Sequence, residues 1–170
     1  MDSHLETLQR EIAAAMAAFS AEQLLAHPAG KWCAAEILEH LYLTYTGTAK
    51  GFSRVLAGGK PLASPNTWKN RARALVVVGF GYMPHGREAP VHARPRGLPA
   101  EKVTAEIASA LAAMDEAIAA CARQFGAGTK VLDHPFLGPL TSRQWCKFHL
   151  VHGRHHLKQI HQLSPPPKGK

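Results

Sequence analysis

Apolar residues recur at helical spacing in four separate stretches of the chain. The first sets Leu5, Leu8, Ile12, Met16 and Phe19 on one stripe, the signature of an amphipathic helix. The second runs from about Cys33 to Leu56 without an internal proline. The third aligns Val103, Ile107, Leu111, Met114, Ile118, Cys121 and Phe125, close to a heptad, and reaches Gly126, where a helix stop is expected. The fourth opens at Thr141, which forms a T-x-x-Q capping box with Gln144. It runs to about Leu163 and is stopped by 165-PPP-167. The final PPPKGK reads as a frayed tail.

A long stretch from about 57 to 100, rich in proline and glycine, separates the second helix from the third. Its middle, 68-WKNRARALVVVGFGY-82, fits a short helix or a buried strand, and periodicity does not decide between them. Loops of this length usually carry function or act as a lid. Four long helices joined by short, long and short connections predict an all-α fold. The expected architecture is a four-helix bundle with a long crossover between helices 2 and 3, a single domain over 1–164 and a disordered tail over 165–170.

Composition narrows the class. A chain of 170 residues with 46% apolar content can bury its own core. No apolar run approaches the roughly 18 residues that span a bilayer; the longest, 74-ALVVVGFGYM-83, is far too short. The N-terminus lacks the basic start and cleavage site of a signal peptide, so a cytoplasmic protein is expected. Cys33, Cys121 and Cys146 are odd in number and widely spaced. That argues against a disulfide framework or a CxxC zinc site and for buried thiols.

The net charge of +8 is localised. Residues 58–100 hold Lys60, Lys69, Arg71, Arg73, Arg87, Arg94 and Arg96 against Glu88 alone, seven cations less one anion, or +6. Such a segment is a solvated loop or a site for nucleic acid, an anionic small molecule or an acidic partner. Aromatic interleaving is sparse (Trp68, Phe80, Tyr82) and no base-reading motif is present, which leaves nucleic acid the weakest of these readings.

Candidate chemistry concentrates in 148-FHLVHGRHHLKQI-160, where four of eleven histidines fall within eight residues. At about 100° per residue, His152 and His156 share a helix face with Trp145, Phe148, His149 and Gln159. His155 sits at the edge of that arc and His161 points away. H-x-x-x-H presents two imidazoles to one ion, but the pair alone is a weak signal without a third inward ligand. The best candidate for that ligand is His40. Its own face carries Cys33, Glu36, Ile37, Thr44, Gly47 and Gly51, and helix glycines cost about 1 kcal/mol each relative to alanine. They fit either tight packing against a bulky neighbour such as Trp145 or room for a ligand beside a metal.

The pattern W-x-x-x-E-I-L-x-H-L at 32–41, followed by H-x-x-x-H-x-x-Q-I at 152–160, resembles the DinB/YfiT-like superfamily of four-helix bundles. The block 134-HPFLGPLTSRQWCKFHLVHGRHHLKQI-160 is similar to the C-terminal signature of a domain-of-unknown-function branch. The resemblance covers both ends of the bundle, and so most of the chain, and implies a divalent metal held by His40, His152 and His156; zinc and nickel both suit imidazole. Many relatives have Ser or Thr as the N-cap after the tryptophan; here Cys33 stands there. His149 is then a fourth ligand or a supporting partner, and Gln159 a residue that orients a ligand ring or bound water.

Some superfamily members transfer thiol cofactors, among them bacillithiol transferases and the mycothiol-dependent maleylpyruvate isomerase. The resemblance therefore implies thiol transfer on a small-molecule or thiol ligand, and a homodimer; the same site could activate water for hydrolysis instead. Glu36, one turn from His40, is the nearest candidate general base. Its weightier reading is a carboxylate favoured by the helix N-terminus. The alternative for the whole protein is a structural or ligand-binding bundle without catalysis.

Overall fold

The computed structural model describes residues 1–84, 86 and 88–163. Four long helices form the body: α1 (Ser3–Ala17), α3 (Ala34–Gly58), α5 (Ala100–Phe125) and α6 (Ser142–Leu163). The periodic stripes explain the packing. α3 lies along α5 and α1 along α6, with α5 also meeting α1 and α6. Their apolar faces meet in one core that includes Leu5, Leu8, Leu41, Tyr45, Phe52, Leu111, Met114 and Ile160.

Local chemistry sets the helix ends. The Asp2 carboxylate accepts from His4 N–H at 2.9 Å and caps α1. The Thr141–Gln144 capping box starts α6: Thr141 N–H donates to Gln144 Oε1 at 3.0 Å, and Gln144 N–H donates to Thr141 Oγ1 at 3.3 Å. A second box, Ser20 with Gln23, starts the five-residue α2 (Ala21–Leu25), which the apolar pattern was too short to reveal.

The expected helical fold holds in outline, with one addition. The described residues are mostly helical, but β1 (Lys130–His134) and β2 (Gly138–Thr141) form a two-stranded antiparallel hairpin. Its turn is held by the His134 side chain, whose Nδ1 accepts from the N–H groups of Phe136 and Leu137, each at 3.2 Å. Neither KVLDH nor GPLT alternates apolar with polar residues, so periodicity does not reveal these strands.

The ambiguous middle of the crossover is helical: α4 (Trp68–Ala74), capped by Thr67, continues as one widened π-helical stretch over Leu75–Gly79. A 3-10 turn follows at Val91–Ala93. The expected tail, 165–170, lies outside the described residues.

The glycine-lined face of α3 also resolves. A Cβ on Gly51 would stand 2.8 Å from Leu132 Cδ2, so Gly51 admits the hairpin, and nothing lies within 4 Å of where a Gly47 Cβ would be. The close neighbour of Gly51 is Leu132 rather than Trp145. A similar approach explains Gly153 within the histidine-rich stretch, where a Cβ would clash with Leu8 Cδ1. Glycine lets the buried Leu8 side chain of α1 sit directly on the α6 backbone here.

Candidate metal centre

α3 and α6 run antiparallel past one another, which brings the start of α3 to the later turns of α6. Tyr45 then faces His149, with ring centroids 5.7 Å apart, and Phe52 faces Trp145 at 5.6 Å. In the same register His40 meets His152 and His156. His40 Nε2 lies 3.2 Å from His152 Nε2, and His152 Nε2 lies 3.2 Å from His156 Nε2. One nitrogen from each ring lies within 4.8 Å of the others. Trp32 packs on the His40 ring at 5.5 Å and Phe148 stacks on His152 at 5.4 Å, so aromatic walls hold both imidazoles.

The far sides of two rings are anchored. His40 Nδ1 lies 2.7 Å from the carbonyl oxygen of Ala93. A carbonyl only accepts, so Nδ1 carries the proton and Nε2 presents a lone pair. His156 Nδ1 lies 2.8 Å from Gln159 Oε1, with the same consequence. Gln159 Nε2 also reaches His155 Nε2 at 3.3 Å, which ties the boundary histidine to the cluster. His152 Nδ1 is buried without a hydrogen-bond partner among the described residues.

Burial disfavours protonation of all three rings. Burial lowers the pKa of His40 against the opposing pull of the Ala93 carbonyl. Burial first, and the neighbouring imidazoles next, hold His152 well below its ordinary value. Burial and then His40 push His156 down to about 3, although Gln159 pulls the other way. Three neutral imidazoles with converging lone pairs repel one another unless a cation or proton lies between them. The donor set fits a divalent ion that favours imidazole.

Other predicted residues fall differently. Glu36 caps α3: its carboxylate accepts from Cys33 N–H at 2.9 Å and lies 3.5 Å from His27 Nδ1. His27, Cys33 and Glu36 bring potential ligand atoms within 4.8 Å of one another, apart from the three histidines. The helix start thus keeps a reciprocal partner although the cap residue is cysteine. His149 is wholly buried between Trp145, Phe148 and Tyr45, and neither of its ring nitrogens has a hydrogen-bond partner among the described residues. It does not join the three-histidine group. His161 is exposed.

One residue was missed. Glu39, 2% exposed, accepts from the backbone N–H groups of Arg96 at 2.6 Å and of Gly97 and Leu98 at 3.2 Å each. This carboxylate ties the end of the crossover to α3 next to the Ala93 carbonyl that orients His40. A charged residue on the core side of a helix, immediately before a ligand candidate, was the available signal.

Fold and site together define a helical protein with three converging histidines on two antiparallel helices. The chain belongs to the DinB superfamily, whose family model matches residues 4–160. Comparison with curated proteins and with solved structures gives no match. Among the described residues no helix is long and apolar enough to cross a membrane.

Proposed function

We propose that His40, His152 and His156 bind one divalent metal, zinc or nickel, and that the protein is a metal-dependent enzyme of thiol-transfer or hydrolytic type. In this reading the four long helices are a DinB-like four-helix bundle forming one domain, which acts in the cytoplasm as a homodimer on a small-molecule or thiol ligand. The observation that carries it is the convergence of three Nε2 atoms, with two of the rings anchored through Nδ1. Three neutral protein ligands leave the ion its full charge and open positions, so when bound it lowers the pKa of a coordinated thiol or water. The protein's part is orientation: Ala93 and Gln159 direct two lone pairs, while Trp32 and Phe148 exclude water from the rings.

Metal content after purification without chelator tests this reading. Near one divalent ion per chain is expected, falling in His40→Ala and His152→Ala. Thiol-dependent transfer and hydrolysis assays on the loaded protein then test the chemistry. A folded wild type without stoichiometric metal would sink the proposal.

A second reading, a metal that ties α3 to α6 without catalysis, is favoured by one observation. The candidate base Glu36 is already engaged by the α3 start. There, metal removal lowers the melting temperature and no thiol or water chemistry is found.

A further inference from the structure

The basic segment builds a second feature apart from the histidines. A cleft of about 330 Å³ opens between α4, its π-helical continuation, β1 and the first two turns of α6. That volume is at the lower end of the range for small-molecule sites. Three cations line it, Arg71, Lys130 and Lys147, together with the neutral polar Asn66 and Gln144. Ala74, Leu75 and Val78 form its apolar wall.

No carboxylate lines the cleft, and among the described residues neither Arg71 nor Lys130 has an ion-pair partner. Like charges held together without a counter-charge disfavour the folded state. Lys130 lies close enough to Arg71 to feel its charge: its pKa is lowered by burial first and by the Arg71 charge next. The Lys147 ammonium is held in place by the Gly79 carbonyl at 3.3 Å, at the end of the π-helical turn. Gln144 Oε1 is taken by Thr141 N–H, which leaves its NH2 group as a donor. The functional groups on offer are therefore cations and donors beside an apolar wall, an arrangement suited to an anion with an apolar body. π-helical turns often occur at functional sites.

The cleft is separate from the histidine centre. On α6, Lys147 precedes His152 by five residues, about 8 Å along the axis and about 140° around it. We propose that this cleft binds a phosphate monoester carrying a small apolar group, independently of the three-histidine centre. Three positive groups match the dianion, and Leu75 and Val78 contact the apolar portion.

Phenyl phosphate serves as the probe, titrated into the full chain after chelator treatment and followed by calorimetry and by amide NMR shifts. The expected result is saturable binding, shifts at Leu75, Val78 and Lys130, competition by inorganic phosphate, and no binding of neutral phenol. Arg71→Gln and Lys130→Gln each weaken binding about tenfold, while Arg71→Lys weakens it less. Circular dichroism verifies that each variant is folded. The proposal is overturned if binding does not saturate or if Arg71→Gln/Lys130→Gln binds as the wild type does. Association with phosphatidylserine-containing vesicles but not with free phenyl phosphate also overturns it, in favour of a membrane surface.

Discussion

The Nδ1–H of His40 donates to the carbonyl oxygen of Ala93 at 2.7 Å, across 53 positions of sequence. The end of the crossover is therefore part of the histidine centre, and Glu39 holds it there by accepting three consecutive backbone N–H groups. Glu39→Ala leaves those donors and the Ala93 carbonyl poorly placed. We expect metal affinity to fall by about 10- to 100-fold, as for other residues that support a ligand, and stability to fall by about 1–3 kcal/mol. Competition with a chromophoric chelator and thermal melts measure the two. Unchanged affinity in a folded variant would show that the loop does not orient His40.

Gln159 orients His156 by a single acceptor, Oε1 at 2.8 Å from Nδ1. Gln159→Leu should weaken metal binding about tenfold. Gln159→Glu keeps an acceptor oxygen and should restore most of it. A purely steric role predicts that the two variants bind metal alike, since leucine fills the space as well as glutamate does.

Tyr45 and His149 present the opposite case. The Tyr45 hydroxyl and both His149 nitrogens are buried without partners among the described residues. Burial raises the tyrosine pKa and lowers that of His149 to about 3. Removing an unpartnered polar group costs little or stabilises. Tyr45→Phe and His149→Phe should each shift stability by no more than about 1 kcal/mol in urea titrations, with metal content unchanged. Loss of metal in His149→Phe would restore it as a supporting partner of the ligands.

Stability should fall on mild acidification, in part through His134. Burial lowers its pKa to about 4 from an ordinary value of 6.5. Between those values the unfolded chain binds a proton that the folded one does not. The contribution is therefore complete above the unfolded value and is lost as the pH falls through this window. One such group contributes a slope of up to about 1.4 kcal/mol per pH unit, and His149 adds to it with the same sign. His134→Asn keeps an acceptor for Phe136 and Leu137 N–H but removes the titration. Its urea-derived stability between about pH 6 and pH 4.5 should fall less steeply by close to one proton. An unchanged slope would mean that the histidine is not buried neutral.

The sequence by itself determined the four long helices. Each carries an apolar stripe over many turns, and local signals such as the Thr141–Gln144 box and Gly126 set their ends within a residue or two. It also nominated His40, His152 and His156, because helical spacing and the W-x-x-x-E-I-L-x-H-L pattern single them out. The tertiary structure decided what local pattern cannot encode. The antiparallel register of α3 on α6 brings three Nε2 atoms together. The hairpin strands do not alternate apolar with polar residues, so periodicity does not show them, and they explain Gly51 through the close approach of Leu132. Glu36 and Glu39 share one helix, yet one carboxylate caps the helix start and the other clasps the returning crossover. That difference depends on which backbone N–H groups the fold delivers to each carboxylate, a relation between segments distant in sequence.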